Sequence, residues 1–177
     1  MNNILAIDPG CHAGIAHTDG LLCTVDLGIS PATLGRGLCR LQDLLRDLLI
    51  SHPTDAIVDE DPAGVAYGKG QFSSTQRLAQ IVGVVAMTAE RHSLPVRLVN
   101  VQTIKGHAGA RRKAELVRRA ELLLGVQPSD DNQADAAWLL DWATHCWWWP
   151  GRPGRPVTAT PDRQLDLPGG KKFSRND

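Results

Sequence analysis

The apolar and polar positions of this chain change rhythm several times, and the changes predict a layered α/β fold. Residues 3–7 and 14–17 read as short apolar strands, and 21–26 as a third that completes a meander. From 31 to 50, Leu34, Leu38, Leu41, Leu45, Leu48 and Leu49 recur at helical spacing, with Ser30 or Pro31 as the start and Ser51-His52-Pro53 as the stop. Ala56-Ile57-Val58 is a short strand of the buried type that ends in Asp59-Glu60-Asp61-Pro62. Residues 62–74 are Gly-rich and lack periodicity, so they read as a loop. A helix is predicted over 74–92, with Leu78, Ile81, Val82, Val85 and Ala89 on its buried side. A strand over 95–99 and a basic connector over 101–112 follow. Leu116, Ala120 and Leu123/Leu124 mark a helix over 113–124 that Gly125 stops. Asp130 or Asp131 then caps a last helix running to about Trp147.

This order is three strands, helix, strand, helix, strand, helix, helix. It suits a mixed five-stranded sheet with helices on both faces, an α/β layer fold. Beyond Trp149 the composition shifts to Pro, Gly and Arg, beginning Pro150-Gly151-Arg152-Pro153. Such a stretch cannot bury enough apolar surface to fold. The expected organisation is one domain over 1–149 and a disordered tail over 150–177.

Charge sharpens the picture. The chain has 19 basic and 19 acidic residues, which argues against nucleic-acid binding by bulk charge alone. The distribution is uneven, because residues 105–119 hold six Lys or Arg and one acid, Glu115, whereas carboxylates gather in 55–61 and 130–141. An acidic centre flanked by a basic strip fits phosphate chemistry in which metal ions supply part of the positive charge. Cys11, Cys23, Cys39 and Cys146 form no CxxC pair. No apolar run approaches the ~20 residues of a membrane span, and no signal peptide precedes the first strand. The expected setting is the cytoplasm of a bacterial or phage-infected cell, with reduced thiols.

Three carboxylate stations carry the candidate chemistry. Asp8 sits at the tip of the first strand, before the turn Pro9-Gly10, with Gly14 opening the return strand. The second station follows Ala56-Ile57-Val58. If that strand lies beside the first, alternation decides which acid faces the site; Glu60 is favoured, Asp59 is the alternative, and a solvated acidic loop is the plainer account of the cluster taken alone. The third is Asp130-Asp131-Asn132-Gln133-Ala134-Asp135, where Asp131 and Asp135 are i, i+4 and Asn132 and Asp135 are i, i+3. Ala134, Ala136 and Ala137 would let this helix press closely onto the sheet beside Asp8.

In this arrangement the chain resembles the RuvC-type Holliday-junction resolvases of the RNase H-like superfamily. The resemblance rests on Ile4 through Gly10, Glu60, Ser74-Thr75-Gln76-Arg77-Leu78-Ala79-Gln80-Ile81-Val82-Gly83, Leu94-Pro95-Val96, Thr103-Ile104-Lys105, Gly109 with Lys113, Asp131 through Ala137, and His145. It spans roughly 3–147. The order of these motifs is more specific than any one of them. The resemblance implies a nuclease that hydrolyses DNA phosphodiesters at four-way junctions, leaving 5′-phosphate and 3′-hydroxyl ends. It implies two Mg²⁺ or Mn²⁺ ions per site, held by Asp8, Glu60, Asp135 and Asp131, and a homodimer cutting two strands symmetrically. Lys105 would touch the phosphate near the cut, while Arg111, Arg112 and Lys113 would hold the DNA arms.

Two departures stand out. The family's last two acids are spaced i, i+3, and the position three before Asp135 is Asn132, so either Asp131 or Asn132 completes the set. The connector over 106–112 is also short. Tyr67 and Phe72 are candidate wedges for the junction centre, and Trp138 and Trp142 read as core or interface. The run Trp147-Trp148-Trp149 cannot all face inward. The helix carrying Leu78, Ile81 and Val85 is the candidate dimer surface, although helical periodicity does not separate a dimer face from core. His107 reads as a surface-loop histidine. The rival readings are an RNase H-fold nuclease acting on other branched DNA and an inactive DNA-structure-binding module.

Overall fold

A computed structural model describes residues 3–62 and 72–147, with side chains from residue 75 onward in the second stretch. The proposed tail, Tyr67, the Phe72 ring, Trp148 and Trp149 lie outside the described residues.

Five strands form one sheet: β1 (Ile4–Asp8), β2 (His12–His17), β3 (Leu22–Asp26), β4 (Ala56–Asp61) and β5 (Val96–Asn100). Their order across the sheet is β3-β2-β1-β4-β5. The first three strands are an antiparallel meander, and β4 and β5 add on in parallel beside β1. In β1, Ile4, Leu5, Ala6 and Ile7 are all fully buried. A central strand covered on both faces is therefore apolar without alternation.

The helices are α1 (Leu34–Ser51), α2 (Phe72–Arg91), α3 (Val101–Ala108), α4 (Lys113–Arg119) and α5 (Asp131–Cys146). One core packs Leu5, Ile7, Ile15 and Ile57 against Leu41 and Leu45 of α1 and Ile81, Val85 and Ala89 of α2. The other packs Ile4, Ala6, Ala56 and Val58 against residues of α3, α4 and α5, including Leu116, Trp138 and Leu139. Alternation thus divides each strand cleanly between two helical layers.

Helix α5 matters most for the site. Asp130 is its N-cap, accepting the Gln133 backbone N–H at 2.9 Å and the Thr24 hydroxyl at 2.8 Å, which ties the start of α5 to β3. The Gln133 side chain reaches back to the Ser129 N–H at 3.0 Å. Small residues Ala134, Ala136, Ala137 and Ala143 bury its inner face. On β2, a Cβ at Gly14 would lie 2.1 Å from the Asn132 carbonyl oxygen. Glycine here allows backbone-to-backbone contact between sheet and helix.

Three expectations need correction. The acidic cluster is not a loop, because β4 continues through Asp61 with Glu60 opposite Val99 and Asp61 opposite Asn100. The supposed connector over 101–112 contains α3, capped by the Asn100 side chain accepting from Gln102 N–H and closed by left-handed Gly109. His107 consequently lies on a helix, half-buried, with Nε2 2.7 Å from Asp141 Oδ2 and its ring edge-on to Trp138. Ile81 and Val85 are 1 % and 0 % exposed, so these positions of α2 belong to the core, as their periodicity predicts. Helix α4 runs on into a π-helical turn, Ala120–Leu124, before Gly125 stops it in the left-handed conformation.

Candidate metal centre

Strand register brings the first two stations together. Ile7 on β1 pairs with Asp59 on β4 in parallel, so Asp8 and Glu60 follow as the next pair at the same sheet edge. Glu60 has the parity of Ala56 and Val58, whose core lies under α5, as do Ile4 and Ala6 on Asp8's side of β1. Asp59 has the parity of Ile57 and points into the opposite layer, where it is fully buried. Alternation therefore favours Glu60 as Asp8's partner.

The third station arrives from above. Helix α5 crosses β1 and β2 with its first turn against Gly14, the residue paired with Asp8. Asp135 lies one turn into that helix, between buried Ala134 and Ala136. The electrostatics bind the three acids into one centre. Asp8 has its pKa pushed well above the carboxylate range, first by burial and then by the negative charges of Glu60 and Asp135. Glu60 is pushed up to about 7 by burial and by Asp135. Asp135 is raised as well, mainly by burial, with Lys113 and Lys105 pulling the other way.

Such mutual repulsion at a partly buried site is what a bound cation relieves. Three carboxylates form an all-oxygen donor set that fits a hard divalent ion such as Mg²⁺ or Mn²⁺. Among the described residues these three do not close to the 4.8 Å spacing found in a separate group, His17, Asp19 and His52, elsewhere on the sheet.

Asp131 stands apart. Its carboxylate is paired with Lys113, which holds its pKa below the usual range, and this bond faces solvent. Lys113 also lowers the pKa of Asp8, Glu60 and Asp135, so it acts as the local positive charge of the centre. Lys105, near the end of α3, lowers those of Glu60 and Asp135. Arg111 and Arg112 are exposed on the short link before α4. Arg119 is half-buried, its guanidinium packed over the Gly109 turn.

No protein-family model matches the sequence, and no curated protein matches it. Solved structures do. The chain superposes on the RuvC of Thermus thermophilus in complex with a Holliday junction substrate with a TM-score of 0.64 and 19% identity, covering 81% of this chain and 96% of that one. A second Thermus thermophilus RuvC structure gives 0.60 and 18%, covering 80% and 95%. The yeast mitochondrial Holliday junction resolvase gives 0.53 and 14%, covering 78% and 75%. The class of fold is thereby defined as α/β RNase H-like. Within that class it is the fold of the RuvC-type resolvases.

Proposed function

We propose that this protein is a metal-dependent endonuclease that resolves four-way DNA junctions by paired, symmetric phosphodiester hydrolysis, leaving 5′-phosphate and 3′-hydroxyl ends. The observation that carries the reading is the convergence of Asp8, Glu60 and Asp135, drawn from β1, β4 and α5, on one edge of a RuvC-type sheet, where Glu60 and Asp135 raise the pKa of Asp8 and Asp135 raises that of Glu60. Divalent cations held there would acidify the attacking water and stabilise charge on the leaving oxygen. Asp8, central to the repulsion, is the proposed shared ligand, with Glu60 and Asp135 on either side. Asp131 or Asn132 would complete the set, Asp131 only by leaving Lys113.

The remaining roles belong to cations of the chain. Lys105 and Lys113 flank the acids, where an ammonium group offsets charge growing on the phosphate. Arg111 and Arg112 would hold duplex arms through backbone phosphates, a contact that positions the DNA without reading sequence. A homodimer would present two such centres to the two strands that must be cut. Among the described residues no helix is long and apolar enough to cross a membrane.

The test is cleavage of a synthetic four-way junction against a linear duplex of the same sequence, with Mg²⁺, Mn²⁺ or EDTA. Paired nicks confined to the junction and dependent on metal are expected. Asp8→Asn should abolish them while sparing junction binding. Equal cutting of both substrates would favour a general nuclease, and binding without cutting in either metal an inactive module.

A further inference from the structure

Away from the carboxylate edge, the sheet carries a second cluster with a different donor set. His17 ends β2, Asp19 lies in the turn to β3, and His52 is the C-cap of α1. One ligand atom from each of the three lies within 4.8 Å of the others. His17 pairs with Leu5 and Gly14 with Asp8, so three residues of β1, about 10 Å, separate this cluster from Asp8. The two sites are distinct.

We propose that His17, Asp19 and His52 form a second cation site, for a borderline transition-metal ion of the Zn²⁺ type, that staples the β2–β3 turn to the end of α1. The donor set decides the metal class. Two imidazoles and one carboxylate suit Zn²⁺ and its neighbours, whereas Mg²⁺ prefers an all-oxygen shell. Three protein ligands leave a fourth, tetrahedral position for water. The exposures match that geometry, because the His17 side chain is 1 % exposed at the inner wall while those of His52 and Asp19 are 26 % and 42 % exposed toward solvent.

The groups are held in place before any ion arrives. The turn is fixed by His17 N–H to the Leu21 carbonyl at 2.9 Å and Gly20 N–H to the His17 carbonyl at 3.0 Å. Asp19 accepts the Leu21 N–H at 3.1 Å, which orients its carboxylate. Across the gap, the His52 N–H bonds to the Leu48 carbonyl at 2.7 Å, and the Thr54 hydroxyl bonds to the His52 carbonyl at 2.8 Å. Both imidazoles turn Nδ1 to the carboxylate, at 2.9 Å for His17 and 2.6 Å for His52.

The plainer account is a carboxylate accepting two imidazole N–H groups with no ion. Among the described residues His17 Nε2 is buried without a hydrogen-bond partner in either account, so it does not choose between them. His17 Nδ1 does, because the Asp19 N–H donates to it at 3.2 Å, which leaves it a lone-pair atom 2.9 Å from the carboxylate. A cation between the two would relieve that contact, and its ligation energy is available only in the folded chain.

The experiment uses the full chain after chelator treatment, titrated with ZnCl₂ and separately with CoCl₂. Asp8→Asn serves as the background, so that uptake at the carboxylate edge is suppressed. One equivalent of Zn²⁺ per chain, a rise in melting temperature and the visible absorption of tetrahedral Co²⁺ are expected. His52→Ala should remove all three, with at least a tenfold loss of affinity. Because that variant could disturb the end of α1, imidazole NMR on the intact protein is the second reading. Zn²⁺ should shift the rings of His17 and His52 and leave those of His12 and His92 unmoved. Uptake unchanged by His52→Ala, no stoichiometric uptake, or ring shifts elsewhere would each overturn the site.

Discussion

The sharpest test of how this sequence builds its site is Gly14→Ala. Gly14 pairs with Asp8 on one side and Thr24 on the other, in the middle of the meander. A methyl group there would lie 2.1 Å from the Asn132 carbonyl oxygen, 2.6 Å from its carbonyl carbon and 3.3 Å from the Ala136 Cβ. The first two are backbone atoms of α5, so no side chain can swing aside. A carbon settles roughly 3.3 Å from a carbonyl oxygen, so the first turn of α5 must retreat by about 1 Å. Overpacking of this kind costs about 1–3 kcal/mol. The same retreat carries Asp135 away from Asp8 and Glu60. A displacement of ~1 Å at a reacting centre can cost on the order of 100-fold in rate. Urea denaturation and single-turnover junction cleavage in Mg²⁺ would read the two effects. Gly83→Ala is the control, because a Cβ there meets nothing within 4 Å in the middle of α2. It should stabilise the fold by about 0.5–1 kcal/mol and leave cleavage unchanged. Wild-type stability and rate in Gly14→Ala would refute the close approach, and lost stability with a normal rate would cut the link from Gly14 to Asp135.

Three further outcomes follow from the electrostatics. Asp8, Glu60 and Asp135 all have folded pKa values above their ordinary ones, so the folded chain holds protons that the unfolded chain releases. Stability without metal should therefore fall as pH rises from the ordinary carboxylate range, roughly 4, through about 7 for Glu60. Melting curves in EDTA across that range should show the slope and Mn²⁺ should flatten it; a flat profile in EDTA would contradict the coupling. Lys113→Met removes a charge that lowers all three pKa values, so the pH of half-maximal cleavage should move upward, and an unmoved profile would take Lys113 out of the centre. Asp131→Asn breaks a solvent-facing ion pair, worth about 1 kcal/mol or less, and with Asn132 beside it should leave measurable cleavage, whereas Asp135→Asn should leave none.

Much of this design can be read in one dimension. The strand ending at Asp8, the helix stop at Gly125 and the Asp130 cap are local signals, set by neighbours a few residues away, and the structure has each of them. Helix α3 escaped because its signals are a cap from Asn100 and a left-handed Gly109, with basic residues and Gly106 masking a single turn of apolar spacing. The continuation of β4 through Asp59, Glu60 and Asp61 escaped because three successive acids contradict strand propensity, and pairing with β5, and for Asp59 also with β1, holds them extended. The Lys113–Asp131 pair and the His17–Asp19–His52 group join residues 18 and 33 apart, beyond the reach of any periodicity.

The two adjacent acids of β4 show why local chemistry alone could not choose between them. Asp59 and Glu60 are neighbours in sequence, yet the pleat sends them into different layers. Glu60 emerges at the edge beside Asp8, where Asp135 and the lysines reach it and a cation could be accommodated. Asp59 is sealed beneath the α1/α2 layer, where burial drives its pKa upward and a hydrogen bond from the Glu60 backbone offsets only part of that. Its layer is closed to the edge where Asp8 and Glu60 emerge, so it cannot share a cation with them. The choice between them is thus made by strand parity. Parity is fixed by Ala56 and Val58 packing under α5 and Ile57 under α1 and α2. The place of Glu60 beside Asp8 therefore follows from the apolar residues two to four positions before it.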